Sequence, residues 1–222
     1  MGTVLRENVM KRARVLLADD HRILAEGLRS LLEPEFELVE IVEDGRTLVA
    51  RAKELLPDVI VADITMPLLN GIEAVLQLKK ADVPAKVVFL TMHQDVTYAA
   101  KAFELGASGF VLKHSAPSEL VTAIREALAG RTYVTPLIAG DLMQAYRDGA
   151  TKQQEPPAEL TPRQRESLQL FAEGRSAKEV ARILHISPRT AEFHKASIMK
   201  LLGIRTTAEL AQYAVRHGII SS

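Results

Sequence analysis

Five short apolar runs, each followed by a stretch with helical spacing, restrict this chain more than any other feature. Arg14–Ala18, Glu37–Val42, Val59–Ala62, Lys86–Thr91 and Gly109–Lys113 read as strands. Val59–Ala62, bounded by Pro57 and Pro67, is continuously apolar, the pattern of a strand buried on both faces of a parallel sheet. Between the runs, Arg22–Leu32 repeats apolar residues every three and four positions, and Gly45–Leu56 is stopped by Pro57. Further helices are expected to about Ala81, over Gln94–Leu105 before Gly106, and over Pro117–Leu128 before Gly130. Strand and helix in strict alternation specify a doubly wound α/β unit, a five-stranded parallel sheet with helices on both faces.

The pattern then changes. Residues 131–158 read as a linker with one helix, Leu137–Tyr146, and a polar, Pro-rich end, Gly149–Ala158. Residues 159–222 show no strand signal. Thr161-Pro162, Ser176, Ser187-Pro188 and Thr206-Thr207 are four helix starts, so a small all-α domain should follow the α/β domain of residues 13–130. Its second and third helices are joined by the tight turn His185-Ile-Ser-Pro188, a helix-turn-helix arrangement. The third helix should bury Ala191, Ile198, Leu201 and Leu202, leaving its cations outside.

Composition narrows the chemistry. With no cysteine, thiolate metal sites, disulfides and a cysteine nucleophile are excluded. No apolar run approaches the roughly 18 residues of a membrane span. Residues 1–14 lack the apolar core of a signal peptide, so a loose leader and a cytoplasmic location are expected. Net charge is zero overall, but residues 1–150 carry −4 and residues 151–222 carry +4. A basic second half is compatible with a polyanionic partner.

The chemistry-bearing residues gather at one edge. Asp19 and Asp20 follow the first strand, Asp63 the third, Thr91 ends the fourth and Lys113 the fifth. A parallel sheet brings these carboxyl ends together, the edge where ligands collect in open α/β sheets. Crowded carboxylates repel one another unless a cation neutralises them, and hard oxygen ligands suit Mg²⁺. A hydroxyl and an ammonium opposite the metal fit a phosphoryl group, with Asp63 as the nucleophile.

Asp19-Asp20, Asp63-x-x-Met66-Pro67 with Gly71, Leu90-Thr91 and Gly106-Ala-x-Gly-Phe-x-x-Lys113 resemble the receiver domain of bacterial two-component response regulators, over about Arg14 to Gly130. The resemblance implies a flavodoxin-like fold and an Asp63 that accepts a phosphoryl group from a histidine kinase. It implies Mg²⁺ held by Asp20, Asp63 and the backbone carbonyl of Thr65, with Asp19 assisting. Thr91 and Lys113 would contact the phosphoryl oxygens, and Thr91 and Phe110 would be the switch pair. Phe110 stands where Tyr is frequent, so only its packing can change, and His114 replaces a frequent Pro. Such a chain is a phospho-acceptor with at most weak self-phosphorylation and self-dephosphorylation, rather than an enzyme.

Leu160-Thr-Pro-Arg-Gln-Arg-Glu166, Ala172-Glu-Gly174, Lys178-Glu-Val-Ala181, Ile186-Ser-Pro-Arg-Thr190, His194 and Ile198-Met-x-Lys-Leu-x-Gly203 resemble the LuxR-type DNA-binding domain. Together the two resemblances point to the NarL/FixJ class, acting on double-stranded DNA as a homodimer through the last helix. They imply Glu192, Phe193 and Ala196 at base edges. Lys178, Arg189, Thr190, His194, Lys195 and Lys200 would lie on the DNA-facing side, most of them near phosphates. Two other readings compete. The first domain could be an interaction module controlled without phosphate, against which the intact Asp19, Asp20, Asp63, Thr91 and Lys113 set argues. It could instead be a phosphatase with an Asp nucleophile, but Thr65 stands where such enzymes need a second acid.

Overall fold

The computed structural model describes residues 12–92, 94, 96–147 and 160–220. Most of the expected leader and the Pro-rich Gly149–Ala158 stretch lie outside the described residues. The first part alternates β1 (Arg14–Ala18), α1 (Arg22–Leu32), β2 (Glu37–Val42), α2 (Gly45–Leu55), β3 (Val59–Asp63) and α3 (Gly71–Lys80). It continues with β4 (Lys86–Thr91), α4 (Val96–Glu104), β5 (Gly109–Leu112), a 3₁₀ turn (Lys113–Ser115), α5 (Ala116–Leu128), β6 (Tyr133–Val134) and α6 (Pro136–Arg147). All pairings are parallel, in the order β2-β1-β3-β4-β5-β6.

The period of two along each strand divides the core into two layers. Leu16, Ile60, Phe89 and Phe110 face α2, α3 and α4, and Ile138 and Leu142 of α6 join that layer. Val15, Leu17, Val61, Leu90 and Val111 face the other way, onto Leu28 and Leu32 of α1 and Leu120 and Ile124 of α5. Each strand residue in these layers is buried, which is why the runs show no polar alternation.

Three details differ from the sequence reading. A sixth strand, β6, pairs Gly109 with Tyr133 and Phe110 with Val134, so part of the expected linker extends the sheet. β5 stops at Leu112, and Lys113 opens the 3₁₀ turn instead of ending the strand. α4 begins at Val96 rather than Gln94.

The second part contains α7 (Pro162–Ala172), α8 (Ala177–Leu184), α9 (Pro188–Leu202) and α10 (Thr207–Arg216). Side-chain caps define their starts. Thr161 and Ser176 form capping boxes with Gln164 and Glu179, and Ser187 and Thr206 accept the Thr190 and Glu209 amides. Leu168, Phe171, Val180, Leu184, Ala191, Ile198 and Leu210 form their shared core. Leu201, expected in that core, is 42% exposed, because it lies one step around α9 from the Ala191, Ile198 and Leu202 stripe. Among the described residues no helix is long and apolar enough to cross a membrane.

Candidate functional site

The chain runs from β1 outward to β2 and then back past β1 to β3. This reversal leaves a crevice outside the carboxyl ends of β1 and β3, the switch point of a doubly wound sheet. Asp19 and Asp20 follow β1 there and Asp63 closes β3. Two glycines let the surrounding loop approach. A Cβ on Gly71 would stand 2.1 Å from the Asp63 carbonyl oxygen, and one on Gly45 would stand 1.9 Å from that of Leu69. Neither position tolerates a side chain without backbone movement.

Lys113 is the electrostatic centre. Its Nζ lies 2.7 Å from Asp63 Oδ2 and 2.9 Å from Asp19 Oδ2, and all three side chains are buried. Asp63 Oδ1 accepts the Thr65 amide at 3.2 Å. Burial pushes the Asp63 carboxyl up to about 6 despite the attraction of Lys113, with Asp19 adding repulsion. Burial alone would lower the Lys113 ammonium, but Asp63 and Asp19 more than reverse that and raise it. Thr91, at the end of β4, and Phe110, in β5, are both fully buried.

The residues fit a divalent cation. Asp19, Asp20, Asp63 and also His21 bring one potential ligand atom each to within 4.8 Å of one another. Asp20 Oδ1 is buried yet accepts no hydrogen bond. Three carboxylates with one ammonium between them leave negative charge that a hard cation would neutralise. Sequence reasoning passed over His21, although it directly follows the Asp pair.

A second set of residues, which sequence reasoning also missed, ties α7 to this edge. The buried Gln169 donates from Nε2 to the Met66 carbonyl at 2.8 Å and accepts the Asn70 amide on Oε1 at 2.8 Å. Glu173 Oε1 accepts the Leu68 amide at 2.9 Å. Arg165 pairs with Glu73, and Glu166 binds Arg46 at 2.8 Å and Gln77 at 3.0 Å. Leu68 packs on the helical core, and Tyr98 of α4 lies against Gly218. The loop that follows Asp63 is thus held by side chains of the helical part.

On α9, Arg189, Glu192, Phe193, Ala196 and Lys200 are exposed, and Thr190 and His194 are half-buried. Lys178 on α8 is exposed as well. Phe193 is 68% exposed, an unusual place for a phenyl ring, and meets the His194 ring edge-on with centroids 6.3 Å apart. Lys195 is half-buried, with its ammonium 5.2 Å from the centroid of the Phe171 ring. The contacts to the sheet edge leave this α9 surface uncovered.

A buried aspartate at the switch point of a six-stranded α/β sheet, beside a lysine and two further aspartates, with a helix-turn-helix behind it, defines a two-part signalling regulator. Residues 15–125 match the response regulator receiver domain, and residues 158–214 match the bacterial regulatory proteins of the luxR family. The transcriptional regulatory protein MctR of Rhizobium johnstonii is 38% identical, over 95% of this chain and 96% of its own length. A LuxR-family two-component response regulator from Aurantimonas sp. is 41% identical over 61% of this chain and 99% of its own, with a TM-score of 0.58. The response regulator RcsB in its DNA complex is 28% identical over 91% and 97% of the two chains, with a TM-score of 0.57. The chain belongs to the two-component response regulators that join a receiver to a LuxR-type DNA-binding domain, the NarL/FixJ type.

Proposed function

We propose that this regulator is switched by phosphorylation of Asp63 by a histidine kinase, and that the phosphorylated chain binds double-stranded DNA as a homodimer. The observation that carries this reading is the buried Asp63 carboxylate beside Lys113 at the sheet's switch point. An Asp63 oxygen attacks the phosphorus of the donor, the bond to the donor nitrogen breaks, and an acyl phosphate results. Lys113 neutralises the developing charge and then, with Thr91, binds phosphoryl oxygens. Asp19, Asp20, Asp63 and the Thr65 carbonyl would hold Mg²⁺, which supplies charge neutralisation to the phosphoryl oxygens. The chain is therefore a phospho-acceptor with at most weak self-phosphorylation and self-dephosphorylation.

A phosphoryl group on Asp63 takes Lys113 away from its present carboxylate partners and displaces the loop from Thr65 to Asn70. Gln169 and Glu173 read that loop, so its movement disfavours the docking of α7. The result is a population shift towards separated domains, with the receiver over residues 13–130, β6 and α6 of the 131–158 segment staying packed on it, and the DNA-binding domain over 159–222. Phe110 is already packed inside, so any switch at this residue is a repacking and not a new hydrogen bond. In the DNA complex, Glu192, Phe193 and Ala196 meet base edges, with Lys178, Arg189, Thr190, His194, Lys195 and Lys200 at or near phosphates. The uncovered α9 surface supports this assignment. A cytoplasmic location suits such a partner set.

The test is intact mass after incubation with a small phosphodonor, with and without Mg²⁺. A Mg²⁺-dependent gain of one acid-stable, base-labile phosphoryl group, absent in Asp63→Asn, is expected. No gain in the wild-type chain refutes the reading and favours control by a ligand or partner.

A further inference from the structure

His21 occupies the N-cap position of α1 but makes no side-chain capping hydrogen bond. Its side chain is 58% exposed, so packing does not dictate where the ring points. The ring nevertheless turns inward. Nδ1 lies 2.9 Å from Asp20 Oδ1, 3.2 Å from Asp19 Oδ1 and 3.3 Å from Lys113 Nζ.

Asp19 Oδ1 already accepts the His21 backbone amide at 2.8 Å and Lys113 Nζ at 3.0 Å, whereas Asp20 Oδ1 is buried and Nδ1 approaches it without making a hydrogen bond. A cation between them would accept lone pairs from the ring nitrogen and from that otherwise unpartnered oxygen together. The spacing agrees: ligands bound at about 2.1 Å in an octahedron stand about 3.0 Å apart along each edge. The separations from Nδ1 to the two carboxylate oxygens bracket that value.

We propose that His21 is a ligand to the cation of the acidic edge and gives that site a preference for first-row transition ions over Mg²⁺. This rests on the reading that the edge binds a divalent cation. Imidazole adds little affinity for Mg²⁺, a hard ion that takes oxygen ligands, but much for ions further along the transition series. One imidazole added to the three carboxylates makes a mixed nitrogen and oxygen set, and the affinity of such a set rises along the first transition series.

The experiment is calorimetric titration of the full chain with Mg²⁺ and separately with Co²⁺, for wild type, His21→Ala and His21→Gln. Both variants should lose about ten- to a hundredfold in Co²⁺ affinity while Mg²⁺ affinity changes by less than about threefold. Proton spectra of the Co²⁺-loaded wild-type chain should show imidazole resonances shifted far outside the diamagnetic window, absent from both variants. Melting curves in chelator separate a folding defect from a lost ligand. Equal losses for both ions, or shifted resonances that survive the substitutions, overturn the role of His21 while leaving the cation site standing. Failure of wild type to bind either ion overturns the cation reading itself.

Discussion

Replacing Gln169 with Met tests how the helical part is held to the receiver edge. The substitution keeps length and helix propensity but removes the amide that serves both the Met66 carbonyl and the Asn70 amide. All three residues are buried in the docked arrangement, so the two backbone groups would be left without partners there. A buried unsatisfied group costs about 1–3 kcal/mol, and opening returns both to water. A combined penalty of about 2–6 kcal/mol on the docked state raises the opening constant by roughly 30-fold to 20,000-fold. The Leu68 amide reports this directly, because its acceptor is Glu173, the C-cap of the same helix, and is lost whenever α7 leaves. Amide exchange should therefore show Leu68 losing protection by that factor, while Val61 in the central strand keeps its own. Protection of Leu68 within about threefold of wild type would refute the claim that Gln169 holds the two parts together.

Further outcomes follow from the same geometry. In chelator, Asp63 keeps its proton in the folded state to about pH 6, whereas the unfolded chain loses it near 3.8, so stability falls as pH rises through that window. Asp63→Asn lacks this loss, and its advantage over wild type should grow by about 3 kcal/mol between pH 3.5 and pH 7 in urea titrations. A pH-independent difference would contradict the burial of that charge. Gly71→Ala forces a Cβ into the Asp63 carbonyl, and should cost about 1–3 kcal/mol by thermal unfolding and slow phosphoryl uptake in the mass assay. On DNA, Lys195→Ala should weaken binding to all sequences and flatten the salt dependence, whereas Glu192→Ala should mainly relax base preference in competition binding. Because the Lys195 ammonium also lies over Phe171, its loss should cost about 0.5–1 kcal/mol of stability as well.

Much of this was legible in the residues. Strands buried on both faces leave unbroken apolar runs, and Val59–Ala62 is one. Parallel connection then obliges Asp19, Asp20 and Asp63 to share an edge, however far apart they are in sequence. β6 escaped because two residues, Tyr133 and Val134, carry no period. Lys113 was placed one residue too far along a strand because the apolar run gives no sign of where the ladder's hydrogen bonds stop. The docking of α7 was illegible for a different reason. Gln169, Glu166 and Glu173 sit in an ordinary amphipathic helix, and their partners are backbone groups and side chains about a hundred residues away. Long-range polar complementarity of that kind has no local pattern. His21 was likewise hidden, since a histidine at a helix start has many uses and only the three distances single out its ring.

The claim on which the account turns is that a phosphoryl group on Asp63 releases α7 from the loop that follows it. Amide exchange of the Ile64–Ile72 segment, measured on wild-type chain before and after phosphorylation with Asp63→Asn treated in parallel, addresses this. Leu68 and Asn70 should lose most of their protection in the phosphorylated wild type and keep it in the variant. A fully phosphorylated chain in which both amides remain as protected as before would contradict it.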